Sequence, residues 1–292
     1  MDSRDRQPGG RPEDFTYALP YSLNITEKSL ANIDAVVIPN SIQTVIAGKN
    51  DIIYLQETDN LSGSPYYRFP KIQGGYYTVQ SLALAISEAL TNVTGLPGTY
   101  NCEFNERLGR YQFSNTAQRF GYSFEILSRE VMLYDIENSP TYIPIRENGN
   151  GAWKLLGCLT GPNIIATGGE PVIPAVAHNA PNLQFATQLF IKTSLGIEGR
   201  SVGAKGNMSI SRRVIMDQPP FALVVDRHAT SWDSFQIAAT TLISTFTVIL
   251  TDYNNNIIDL NGQDWSFSIT IFKRRFKNVN FIHFIFYNII YK

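Results

Sequence analysis

The chain has 292 residues, 43% of them hydrophobic and only 17% charged, so it can bury a large core under a surface poor in charge. A net charge of -1 gives no sign of a broad basic face for nucleic acid, so no specific nucleic-acid binding is expected. Aromatic residues reach 12%, which suits broad protein–protein contact and equally the ordinary preference of strands for aromatics. Cys102 and Cys158 are too few for a disulfide framework; two buried free thiols are expected, with a single bridge as the alternative.

Residues 1–13, rich in Arg, Asp, Pro and Gly, are expected to form a flexible N-terminal arm, either disordered or partner-binding. They carry neither the apolar run of a signal peptide nor that of a membrane anchor. The expectation is a protein made and kept inside a cell until assembly. Short β-prone runs follow at Phe15–Leu19, Ala35–Ile38 and Ile52–Leu55. Gly74-Gly75-Tyr76-Tyr77 then leads to Thr78, a good N-cap. Val79, Leu82, Ala83, Ile86, Ala89 and Leu90 make one apolar stripe at helical spacing, with Tyr77 and Leu82 placed as a hydrophobic staple. The segment Gly95-Leu96-Pro97-Gly98 stops this helix.

A hairpin is predicted next: Tyr100, Cys102 and Phe104 alternate, 105–109 turn, and Tyr111 and Phe113 return. Residues 120–126 are expected to add a third strand to it. The region 127–183 is polar and interrupted by Pro and Gly, and is expected to form an inserted loop region with a strand near Val172. Within it Trp153–Gly157 is a compact apolar knot. Further strands are predicted at 183–192, 208–215, 221–225 and 244–250. The strongest pattern closes the fold. Phe246–Asp252 meets a turn at Asn254-Asn255-Asn256, and Trp265, Phe267, Ile269 and Ile271 then share one face, as the inward side of a central strand in a last hairpin.

With roughly eight to ten strands and one convincing helix, the pattern predicts an all-β fold. Its form is an antiparallel jelly-roll-like β-sandwich over 14–272, with one amphipathic helix in a connection. Residues 273–292 form a basic and then apolar tail (Lys273-Arg274-Arg275, then 281–291). The apolar part is shorter than the ~20 residues a membrane-spanning helix needs, so no transmembrane segment is expected. A terminal strand, a partner-binding tail, a membrane-surface element and translated AT-rich non-coding DNA all fit its composition.

No catalytic constellation stands out. His178, His228 and His283 lie far apart in different contexts, with Asp226 as a possible partner of His228. The cysteines lack zinc-site spacing, and the glycines at 74–75 lack the spacing and Lys of a phosphate loop. Asp252, Asp259 and Asp264 lack EF-hand spacing, and turn chemistry explains them more simply than calcium. Three glycosylation tripeptides begin at Asn24, Asn92 and Asn207. The chain is therefore expected not to be an enzyme, with no catalytic residues, metal or cofactor. A hydrolase on a sandwich scaffold fits worst.

Several segments resemble the penton-type minor capsid proteins of the Polinton (Maverick), adintovirus and virophage group. They are Pro39-Asn40-Ser41 after a hydrophobic strand, Ile72–Thr78 before an amphipathic helix, Leu155-Leu156-Gly157, the strand Gln188–Lys192, and Leu250-Thr251-Asp252 followed by Ile258–Phe267. The resemblance covers much of 15–272 as pattern more than identity, and the tail after Phe272 departs from it. It implies a jelly-roll subunit forming homopentameric vertices of an icosahedral virion, made in the nucleus or cytoplasm of a host cell. Its partners would be itself and a major capsid protein. The alternative from the residues alone is an attachment or carbohydrate-binding sandwich, with Tyr and Trp among the Asn and Asp of 252–265 stacking on sugars.

Overall fold

The computed structural model describes residues 1–25, 29–58, 65–132, 151–195, 201–203, 206–208, 210–227, 235–237 and 241–273. In chain order the strands are β1 (Asp14–Ile25), β2 (Ser29–Pro39), β3 (Leu55–Thr58), β4 (Pro65–Arg68), β5 (Tyr100–Asn105) and β6 (Arg110–Asn115). They continue as β7 (Ser123–Ile126), β8 (Ile164–Ala166), β9 (Ala175–Val176), β10 (Gln188–Thr193), β11 (Ser201–Gly203) and β12 (Gly206–Met208). The last are β13 (Arg212–Ile215), β14 (Leu223–Asp226), β15 (Phe235–Gln236), β16 (Thr241–Thr251) and β17 (Ser266–Lys273). Helix α1 spans Val79–Val93. The chain divides into two units, one from residues 1–42 with 186–292 and one from 43–185. The insertion is therefore larger than the loop region expected at 127–183. It begins at Gln43 and includes the helix and the hairpin.

The first unit is an antiparallel β-sandwich. One sheet has the order β1-β16-β10-β13; the other has β14-β2-β15, with β17 also on β2. The chain passes from one sheet to the other between β1 and β2, β13 and β14, β15 and β16, and β16 and β17, as a jelly-roll-like arrangement requires. Residues of both sheets meet in the interior, where Phe15 of β1 packs edge-on against Trp265 at 6.1 Å. Phe246, Val248 and Leu250 on β16 and Trp265, Phe267 and Ile269 at β17 alternate inward and are buried, while Ile271 is half-buried. A bulge on β2 sets its phase: Ser268 pairs with Ala35 and Ile269 with Ile33. The extra residue, Asp34, accepts hydrogen bonds from Ser268 and from Thr270 Oγ1 (3.0 Å).

The expected last hairpin does not form, and β17 is not a central strand. The turn at 254–256 closes, helped by Asp252, whose side chain accepts from the Asn254 and Asn256 amides. What returns alongside β16, however, is only Ile257 and Ile258. Ile258 and Leu260 are buried there, and the chain then crosses to pair Ser266–Lys273 with β2 instead.

The second unit holds two small antiparallel sheets, β4-β3-β7-β8 and β5-β6-β9. The hairpin forms as expected, with Cys102 opposite Phe113 and Phe104 opposite Tyr111. Its third strand is β9, however. Strand β7, expected beside it, lies in the other sheet between β3 and β8. The region 161–183 carries β8 and β9 rather than one strand near Val172.

Helix α1 starts at Thr78, whose hydroxyl accepts from the Ser81 amide while Ser81 reciprocates. Its stripe, Leu82, Ala83, Ile86, Ala89 and Leu90, is buried. The neighbouring flank docks by hydroxyls. Ser87 Oγ accepts from Cys102 N (2.7 Å), and Thr91 Oγ1 accepts from Tyr100 N (3.0 Å). Four helical residues rise ~6 Å and two strand residues ~6.6 Å, so this spacing lets a helix cover the edge of β5. The apolar knot is one helical turn, Trp153–Leu156, closed by Gly157 at φ 73°. A side chain at Gly157 would strike the Asn179 carbonyl. Trp153 stacks on Tyr54 at 5.0 Å and donates to Leu127 O at 3.1 Å.

Candidate assembly surface

The residues singled out for chemistry are dispersed. His178 Nε2 lies 3.2 Å from Asn163 O, a local backbone contact, while His228 and His283 lie outside the described residues. Asp226 is engaged by Arg212, at 2.8 and 2.9 Å. Cys102 and Cys158 are buried free thiols, and burial pushes both well above the ordinary thiol range. Asp252 and Asp259 cap their own turns, and Asp264 binds Ser3 and Arg6. Among the described residues, no group of three or more metal-ligating side chains converges. No helix among them is long and apolar enough to cross a membrane. Trp265, proposed to stack on sugars, is buried and donates Nε1–H to Pro12 O at 2.7 Å; Tyr253 alone of that pair is exposed. Of the three glycosylation tripeptides, the one at Asn92 lies at the end of α1, with its Thr94 hydroxyl bonded to Glu57. The tripeptides at Asn24 and Asn207 end at Thr26 and Ser209, outside the described residues.

The most elaborate polar arrangement was not singled out from the sequence. Glu57 on β3 is fully buried in the second unit. Its carboxylate accepts from Thr94, from Gly95 N (2.9 Å) and from Tyr100 OH (3.0 Å), with Arg68 Nε at 3.5 Å. Burial, with the nearby Glu57 charge, pushes the Tyr100 phenol up, so it stays a neutral donor. Every oxygen is occupied by protein, so the cluster is a clasp joining β3, β4, the end of α1 and β5. The available signal was period 2: in Leu55-Gln56-Glu57, Glu57 shares the inward face of Leu55.

The sheet edges of the first unit are treated unequally. Residues 1–13, expected as a flexible arm, are bonded in place. Along β17, Met1 and Phe267 exchange backbone hydrogen bonds, Ser3 N donates to Trp265 O at 2.9 Å, and Asp2 bridges Ser266. Along β1, Gln7 N donates to Thr16 O at 2.9 Å and Arg6 bridges Tyr17. An ion pair from Arg6 to Asp264 (2.6 Å) ties the segment down between these rows. The segment takes these places because unpaired strand groups are satisfied most cheaply by a nearby backbone.

On the other side, β13 and β14 are the edge strands of their sheets. Arg212 on β13 and Asp226 on β14 form a largely buried ion pair that ties the two. The outer face of β14 is apolar: Phe221 is 71% exposed, Leu223 59% and Val225 48%, while Ile215, 56% exposed, points outward from the other sheet. Leu223 and Val225 sit opposite Pro39 and Val37 of β2, both half-buried, which extends the apolar strip across the sheet. Phe221 has φ 68°, a left-handed conformation that is strained for a bulky side chain. It is held there by its amide, which donates to Asn40 O at 2.8 Å.

The sequence matches no family model and no curated protein. By structure the chain is similar to the mavirus penton protein, solved as a crystal structure, at 13% identity and a TM-score of 0.48. The alignment covers 89% of this chain and 90% of that one.

Proposed function

We propose that this chain is a structural, penton-like minor capsid protein that assembles as a ring of five at the vertices of an icosahedral virion, beside a major capsid protein. The sequence resemblance supplies the class and the number. The observation that carries the reading is the sandwich itself, with one side covered by its own residues 1–13 and the other, among the described residues, presenting apolar side chains. A subunit in a closed ring needs such asymmetry, because its two neighbours meet different faces of it. The low charge of the chain keeps the cost of burying its sides small. The test is mass by light scattering across concentration, with electron images of the purified protein, alone and with major capsid protein. Rings of five in either condition bear the reading out. A strict monomer in both, with no binding to capsid shells, overturns it.

A further inference from the structure

Resting on that reading, we infer that the β13–β14 side of the sandwich, centred on Leu223 and Val225 with Phe221 at its tip, is the face on which a second copy of this chain docks. Four arguments point to a copy of the chain. First, the area fits: Phe221, Leu223 and Val225 leave on the order of 350 Å² open, within the ~300–600 Å² of the largest apolar patch of an ordinary monomer and most of the apolar half of the ~800 Å² one partner gives to a standard interface. Second, the strip formed by Phe221, Leu223, Val225, Val37 and Pro39 has no charged side chain, and the chain carries a net charge of only -1, so copies approach without repulsion.

Third, the opposite side of the same sandwich shows how this chain treats an edge that must stay single: it lays residues 1–13 along it. Nothing comparable pairs the outer edge of β14 among the described residues. Fourth, the chain tolerates a strained conformation at Phe221 that keeps an aromatic ring outward. That conformation is held within the subunit by the Phe221 amide on Asn40 O, so the ring is presented in one fixed place. A rigid aromatic beside aliphatic neighbours is the composition of an interface centre.

The experiment uses the full chain. Leu223→Glu and Val225→Lys change outward side chains; Leu84→Glu, equally outward on α1 of the second unit, is the control. Association is followed by light scattering across concentration, and folding by thermal melting. The expected result is that L223E and V225K associate at least tenfold more weakly than wild type while L84E is unchanged. Phe221→Gly adds a readout independent of charge. Glycine accepts the left-handed conformation, so F221G should melt higher than wild type and still associate at least tenfold more weakly. If wild type assembles and all three variants assemble equally well, the docking face is wrong while the capsid reading stands. If self-association is unchanged but binding to the major capsid protein is lost, the occupant is that protein and the inference fails. If wild type never assembles, both fail together.

Discussion

The two sides of the sandwich are built from the same kind of element, yet one is finished and the other is not. On the β1–β17 side, residues 1–13 complete two strand edges, and Trp265 and Phe267 lie beneath them in the core. On the β13–β14 side, the Arg212–Asp226 ion pair ties the two sheets among the described residues, and large apolar side chains face outward. The second unit resembles the finished side, since α1 covers the β5 edge with Ser87 and Thr91. The difference teaches that outward apolar side chains matter by their grouping: Ile165 on β8 and Leu242 on β16 are also exposed, but Leu223 and Val225 stand together on one strand opposite Pro39 and Val37.

The largest expected effect breaks the finished side. Phe267→Ala removes a buried ring stacked on Trp265 at 5.0 Å, and should lower unfolding free energy by roughly 3–5 kcal/mol in urea titration. Asp226→Ala on the open side leaves Arg212 buried without its carboxylate, and should destabilise by about 2–3 kcal/mol, visible as a shifted melting midpoint. The hydrophobic replacement of both partners should cost much less, which separates the desolvation of one stranded charge from the worth of the pair. Ser87→Ala uncovers the Cys102 amide and should cost about 1 kcal/mol, with faster hydrogen exchange confined to β5.

The smallest effect concerns the N-terminal segment. Burial disfavours ionisation of Asp2, but the hydrogen bonds and charge of Arg4 outweigh this and hold its carboxyl below the ordinary value of 3.8. A lowered folded value means that its stabilisation is complete above the unfolded value and is lost as pH falls through the folded one. Protection of the Ser3 and Gln7 amides should therefore persist at pH 5 and weaken as pH falls below ~3.8, while β16 amides hold. Asp2→Asn should remove that pH response at a cost below ~1 kcal/mol, because Arg4 is exposed.

Local chemistry made several elements legible in the sequence. Helix α1 was readable from Thr78 and its stripe, because capping and the 3.6-residue period are set within a few turns. The 100–113 hairpin and the inward face Trp265–Phe267–Ile269 were readable for the same reason: alternation fixes which side of a strand a residue occupies. Alternation does not say which strand lies next door. That is why alternation alone leads one to pair β17 with its sequence neighbour, although it bonds to β2, more than 200 residues earlier in the chain. It is also why β7 was assigned to the wrong sheet. Turn residues at 254–256 did mark a turn, but only the tertiary core, by burying Ile258 and Leu260, decided how far the returning chain would run.

The sequence by itself determined the all-β class, helix α1 with its cap, and the inward faces, since each follows from interactions a few residues apart. Tertiary structure decided the division at Gln43, the bonding of residues 1–13 to the edges of β1 and β17, and the sharing of Glu57 among Thr94, Gly95, Tyr100 and Arg68. Residues 1–13 look like a disordered arm because they are polar and short of apolar anchors, and such a segment cannot order itself. The open hydrogen-bonding groups of β1 and β17 order it, and those groups exist only once the two sheets have formed.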